Sequence, residues 1–132
     1  MVFEESIVVN LPFDAAVDII KSELASVGFG TLTEIDLQAT LRAKLGKEMD
    51  RYVIVGACNP KLASAAIDAN PLIGVLLPCN VIVREVGDRV EIDAMDPGLM
   101  ATMTGSDELA PVAAEARELL NQALQNTMDR SH

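Results

Sequence analysis

The stretch CNVIVREVGDRVEIDAM, residues Cys79–Met95, places two arms rich in β-branched residues on either side of Gly87-Asp88. A Gly-Asp pair supplies a two-residue turn, so the stretch predicts a β-hairpin. In the second arm Val90, Ile92 and Ala94 alternate with Arg89, Glu91 and Asp93. One face of that arm is therefore expected in a core and the other in water. Upstream, the candidate strands are separated by helices. Glu5 to Leu11 reads as a strand, with Ile7, Val9 and Leu11 on one face, and Pro12 stops it. Phe13, Val17, Ile20, Leu24 and Val27 then form one apolar helical stripe, ended by Gly28. Phe29 to Leu37 reads as a second strand, and Leu37 to Leu45 as a short helix closed by Gly46.

Tyr52 to Cys58 is apolar on both faces, which predicts a central strand covered on both sides. Asn59-Pro60 opens the next helix with a capping side chain and a proline at the first helical position. That helix runs through Leu62, Ala66 and Ala69 to Asn70-Pro71. The apolar run Leu72 to Leu77 is compatible with helix, loop or strand. After the hairpin, Asp96-Pro97-Gly98 reads as a turn. A long C-terminal helix begins between Asp107 and Pro111, with Val112, Ala116, Leu119, Ala123 and Met128 on its stripe and Leu120 and Leu124 broadening it. The order β-α-β-α-β-α-β-β-α, with one hairpin, gives an α+β class: a mixed or antiparallel sheet of about five strands packed with helices.

The chain has 132 residues, which is the size of one domain spanning residues 1–132. Half of its residues are hydrophobic, which excludes intrinsic disorder. Ten basic residues against 20 acidic ones give a net charge of -10. A field of that sign repels phosphate backbones, so no nucleic-acid partner is expected. The longest apolar run falls far short of the ~20 residues of a membrane helix, so no membrane role is expected either. The acidic start Met1-Val2-Phe3-Glu4-Glu5 has no signal-peptide core, and the expected location is the cytoplasm.

Few catalytic options exist. The only histidine is His132, the last residue, which removes Ser-His-Asp and Cys-His mechanisms and ordinary histidine metal sites. Neither a P-loop nor a full dinucleotide fingerprint occurs. Gly28-Phe29-Gly30 follows a helix and reads as a helix stop. Glu34, Asp36, Asp93 and Asp96 are carboxylates on strands or in a turn; a pair of them with hard-cation or acid–base chemistry ranks last, behind solvated charge.

The two cysteines are more informative. They stand as Ala57-Cys58-Asn59-Pro60 and Leu77-Pro78-Cys79-Asn80, each at a strand end beside a proline. Cys58 precedes a helix N-terminus with Lys61 in the first turn, a setting that stabilises a thiolate. Cys79 is its candidate resolving partner or second soft ligand. If their strands are antiparallel neighbours, the thiols share one edge of the sheet; if parallel, a strand length of about 17 Å separates them. Free cysteine is also among the most buried residue types, so two plain core residues stand as the alternative. Met95, Met100 and Met103 follow the hairpin and, with two thiolates, offer a soft Cu(I) site or else core filler.

The segments Gly56-Ala57-Cys58-Asn59-Pro60-Lys61-Leu62-Ala63, Leu76-Leu77-Pro78-Cys79-Asn80-Val81 and Asp96-Pro97 resemble the family known as domain of unknown function 302. The Phe13-Asp14 helix start and Gly28-Phe29-Gly30 fit it too, and the likeness covers nearly the whole chain. It implies a small α+β protein and a homodimer, and brings no established activity or cofactor. The matching positions are Cys58, Asn59, Pro60, Pro78, Cys79, Asp96 and Pro97. The candidate reactive residues are thus Cys58 and Cys79, with Asn59, Lys61, Asn80 and Asp96 as ligand-binding candidates. Two functional expectations follow. One is a thiol-centred site for a small molecule, a sulfur species or a soft metal. The other is a non-catalytic homodimeric binding or scaffold module with structural cysteines.

Overall fold

In a computed structural model, residues 3–131 are described, with side chains from Ser6 onward. His132 lies outside the described residues. Five strands form one sheet: β1 (Phe3–Val9), β2 (Gly30–Asp36), β3 (Tyr52–Cys58), β4 (Cys79–Val86) and β5 (Arg89–Met95). Their spatial order is β1-β5-β4-β3-β2, and every neighbouring pair is antiparallel. The helices are α1 (Phe13–Ser26), α2 (Leu37–Leu45), α3 (Pro60–Ala69), a short α4 (Leu99–Thr104) and α5 (Ala110–Arg130).

The expected α+β class and element order hold, with local differences. The first strand lies two residues earlier than its hydrophobic pattern suggested. The ambiguous run after Asn70 is a 3₁₀ turn, Pro71–Leu76, started by the Asn70 side chain accepting from the Leu72 N–H at 3.0 Å. The Asp96-Pro97-Gly98 turn feeds α4, with Asp96 Oδ1 accepting from the Gly98 N–H at 2.8 Å. A further 3₁₀ turn, Asp107–Leu109, precedes α5.

The core lies on one face of the sheet. Period-two positions of four strands (Val9, Val55, Val81 and Ile92 among them) pack against α1 through Ile20 and Leu24 and against α5 through Leu120 and Leu124. All of these side chains are at most 1% exposed. At ~25 cal/mol per Å² of apolar surface removed from water, this layer is the main source of stability. A smaller cluster beside it joins Ala66, Ile73, Met100, Leu109 and Ala113.

The opposite face carries mixed side chains. Asp93, expected in water, is only 8% exposed. Ser6 donates to its carboxylate, and Arg84, which also pairs with Glu91, lies 3.9 Å from it. A desolvated carboxylate is tolerable there because donors from both neighbouring strands face it. Strand β3 is an interior strand, flanked by β4 and β2, with β4 in the middle of the sheet. On β3, Val53, Val55 and Ala57 are buried, whereas Tyr52 and Ile54 on the other face remain half-exposed. Double-sided apolarity therefore did not mean double-sided cover. Gly56, on that second face, is buried because its neighbours crowd it. A Cβ there would collide with Thr33 Oγ1 and stand 2.9 Å from Pro78 Cγ.

Candidate functional site

The site begins with how α1 ends. Gly28 takes φ +95°, the Gly28 N–H donates to the Ala25 carbonyl at 3.0 Å, and the Phe29 N–H donates to the Leu24 carbonyl at 2.8 Å. This is a Schellman closure, which needs glycine because a side chain is strained at that φ. Its consequence is the placement of Phe29, buried to 2% exposure, at the end of the core. The Gly28-Phe29-Gly30 segment is a helix stop, as expected, and no strand precedes it.

Next to it β3 ends. The β3–β4 register pairs Ala57 directly with Cys79, so the antiparallel alternative is the correct one and both thiols lie at one end of the sheet. Asn59 then caps α3, its Oδ1 accepting from the Leu62 N–H at 3.2 Å. Its carbonyl accepts from the Ala63 N–H at 2.8 Å. Pro60 has no N–H to give. The first turn of α3 therefore spends these donors internally, and what it offers Cys58 is chiefly its dipole.

Cys58 and Cys79 line one cavity of about 20 Å³. That is room for about one water-sized body. Phe29 forms one wall, Leu62, Ala63 and Ala66 of α3 another. Leu77, Met100 of α4, and Val112 and Ala116 of α5 complete it. Asn59 is the one amide side chain in this lining, and its oxygen already serves as the α3 cap. Cys58 is half-buried, Cys79 is 4% exposed, and both are free thiols. Their sulfurs are not at disulfide distance. Burial, and then the neighbouring Cys58, push the Cys79 thiol up to about 11. At neutral pH Cys79 is a protonated thiol in an apolar setting, with the half-exposed Cys58 beside it.

The other sequence candidates divide. Asn59 is at the cavity. Lys61, Asn80 and Asp96 do not line it: Lys61 and Asn80 are exposed, and Asp96 is engaged by the Gly98 N–H. Asn80 pairs with Gly56 in the β3–β4 ladder and so shares the parity of the opposite face. The carboxylates are dispersed as well. Glu34 pairs with Lys21 at 2.7 Å, and Asp36 caps α2 through the Ala39 N–H at 2.9 Å. Among the described residues no group of three His, Cys, Asp or Glu side chains could hold a metal. The three methionines also separate: Met103 is 65% exposed, Met95 packs on the main core, and Met100 alone reaches the cavity. Sequence reasoning treated the methionines as one group. The helical turn that selects Met100 is set by Asp96 and Pro97, and only their placement could single it out.

A search of curated proteins finds no match. A solved structure, the crystal structure of an uncharacterized conserved DUF302 protein from Bacillus stearothermophilus, superimposes with a TM-score of 0.84. The two are 24% identical, and the alignment covers 97% of each chain, so the likeness is one of fold. Residues 5–127 match the family described as "Domain of unknown function DUF302". With nearly the whole chain inside that match, the protein belongs to the DUF302 family.

Proposed function

We propose that this chain works through its thiols, holding or acting on a small soft species at Cys58 and Cys79. The observation that carries this reading is that both cysteines line the same atom-sized, otherwise apolar cavity. An apolar wall offers nothing to a phosphate, a sugar or a hard cation, which need charged or oxygen partners. Apart from the Asn59 amide, whose oxygen already caps α3, sulfur is the distinctive chemistry of this lining. Cys58, half-buried, is the thiol that a solute reaches first, and Cys79 behind it is the partner. Free thiols persist in a reducing compartment, so the cytoplasm is the location that fits. The test is native and denatured mass of freshly purified protein, before and after exposure to inorganic polysulfide or a soft metal ion. An adduct that appears in the wild type and is missing from a folded Cys58→Ser/Cys79→Ala variant supports the reading. Equal adducts in both chains, or none in either, reject it.

A second reading has its own observation. Strand β2 is exposed along all seven residues, and α2 buries none of its side chains. Leu32, Ile35 and Leu45 of this unit are 65%, 43% and 74% exposed. Residues 30–50 carry Glu34, Asp36, Glu48 and Asp50 against Arg42, Lys44 and Lys47, a net of -1 in a chain of -10. A bare edge with apolar side chains and little charge is a template for strand pairing. We infer that a second copy of this chain covers it, giving a homodimer. Native mass of the wild type is expected at twice the chain mass, and a Leu32→Lys/Ile35→Lys variant at the single-chain mass. A wild type that is monomeric at micromolar concentration rejects it.

A further inference from the structure

We infer that the cavity is a Cu(I) site in which Met100 joins Cys58 and Cys79 as a third sulfur ligand. The inference rests on the thiol reading above and names its ligand. Three sulfur-bearing side chains from three different elements, β3, β4 and α4, line one cavity of about 20 Å³. Met100 is 3% exposed and Cys79 4%, so two of the three are withdrawn from water. A space of that size admits about one water-sized body, so it suits a single ion and is far too small for a drug-sized molecule.

The donor set discriminates among atoms. Structural zinc takes four nitrogen, sulfur or oxygen ligands, and iron–sulfur clusters take four cysteines or, in the Rieske type, two cysteines and two histidines. Only two thiols are present here, and no third His, Cys, Asp or Glu joins them among the described residues. Thiolate with thioether is the combination that selects Cu(I), a soft d¹⁰ ion content with two or three ligands. Binding is a ligand exchange with no redox change: Cu(I) enters, the thiol protons leave to solvent, and copper–sulfur bonds form. The net charge of -10 draws cations towards the chain. A persulfide on Cys58 would use the same thiols but has no need of a thioether, so Met100 separates the two ligands.

The experiment is an anaerobic titration of the fully reduced chain with Cu(I), in competition with a chromophoric Cu(I) chelator. The expected result is one Cu(I) per chain. Cys58→Ala and Cys79→Ala are expected to weaken binding at least about 100-fold, and Met100→Leu about tenfold, within the range that ligand-sphere changes produce. Met100→Leu conserves volume and leaves the fold intact, so its result is interpretable even if a cysteine variant unfolds. X-ray absorption is expected to count three sulfur neighbours on copper in the wild type and two in Met100→Leu. No Cu(I) retained against the chelator overturns the proposal. So does Met100→Leu with unchanged affinity and sulfur count. Polysulfide separates the two levels. A one-sulfur mass gain on the thiols in a chain that refuses Cu(I) overturns copper and keeps the thiol site, whereas refusal of both overturns both.

Discussion

The two ends of the sheet differ in what covers them. Along β1, β5 and β4, the side chains on one face vanish under α1 and α5, and Ile20, Leu24, Val81, Ile92 and Leu120 are fully buried. Along β2 and α2 no side chain is buried. Both parts contain regular, hydrogen-bonded structure. Regular structure therefore says little about where the folding free energy resides; that is decided by apolar surface removed from water. The cavity lies on the covered side, where the adjoining ends of β3 and β4 meet side chains of α3 and α5, and it inherits that dryness. The bare unit has the opposite character, and its apolar side chains face outward.

This contrast can be broken or sharpened by mutation. The largest effect is expected for Leu120→Ala, which removes a fully buried side chain from the core-facing side of α5. Chemical denaturation should show a loss of about 2–5 kcal/mol. A loss below 1 kcal/mol would mean that the α5 layer is not the main core. Gly56→Ala comes next, because the added methyl meets Thr33 Oγ1 and Pro78 Cγ. It should cost about 1–3 kcal/mol, and pairing it with Thr33→Ala should recover part of that. Full additivity of the two changes would show that Thr33 is not the obstacle.

The Cys79 thiol gives a pH-dependent prediction. Its folded value of about 11 lies above the ordinary 9.0, so the unfolded chain ionises first as pH rises. The folded state then holds the proton that the unfolded state has lost, and stability falls. The slope should approach about 1.4 kcal/mol per pH unit between pH 9 and 11, and should vanish below neutrality. Urea melts of the wild type and Cys79→Ala at pH 7 and pH 10 measure it; parallel loss in both chains would assign the slope elsewhere. Asn59→Ala removes the α3 cap beside the cavity and should cost about 1 kcal/mol. The smallest effect is expected for Leu32→Ser, exposed on β2. In the isolated chain it should stay within about 0.5 kcal/mol of the wild type. A larger loss that depends on protein concentration would point to a covering partner.

Much of the fold was legible in advance because it rests on local rules. Gly28 after an apolar stripe, Asn59-Pro60 after a strand and Gly87-Asp88 between alternating arms each encode their element through backbone preference and capping. The helical run of α5 and the core positions Val9, Ile20 and Ile92 followed from periodicity alone. What local pattern could not supply was cover. Ile54 is as apolar as Val53 and Val55, and only the side on which helices lie leaves it half-exposed and them buried. Asp93 reads as a solvent-facing charge until Ser6 and Arg84 are brought beside it from neighbouring strands.

The candidate site divides in the same way. The sequence by itself determined that sulfur was the distinctive chemistry, because the chain offers two cysteines beside strand ends and no histidine before its last residue. It also determined the α+β class, through a hairpin set among strands separated by helices. Tertiary structure alone decided that β3 and β4 are antiparallel, so that Ala57 faces Cys79 and both thiols reach one cavity. It alone placed Met100 there while leaving Met103 in water and Lys61, Asn80 and Asp96 elsewhere. The physical reason is sequence distance. Periodicity and capping act over a few residues, whereas a cavity built from β3, β4, α3, α4 and α5 exists only once strand register and helix packing have closed around it.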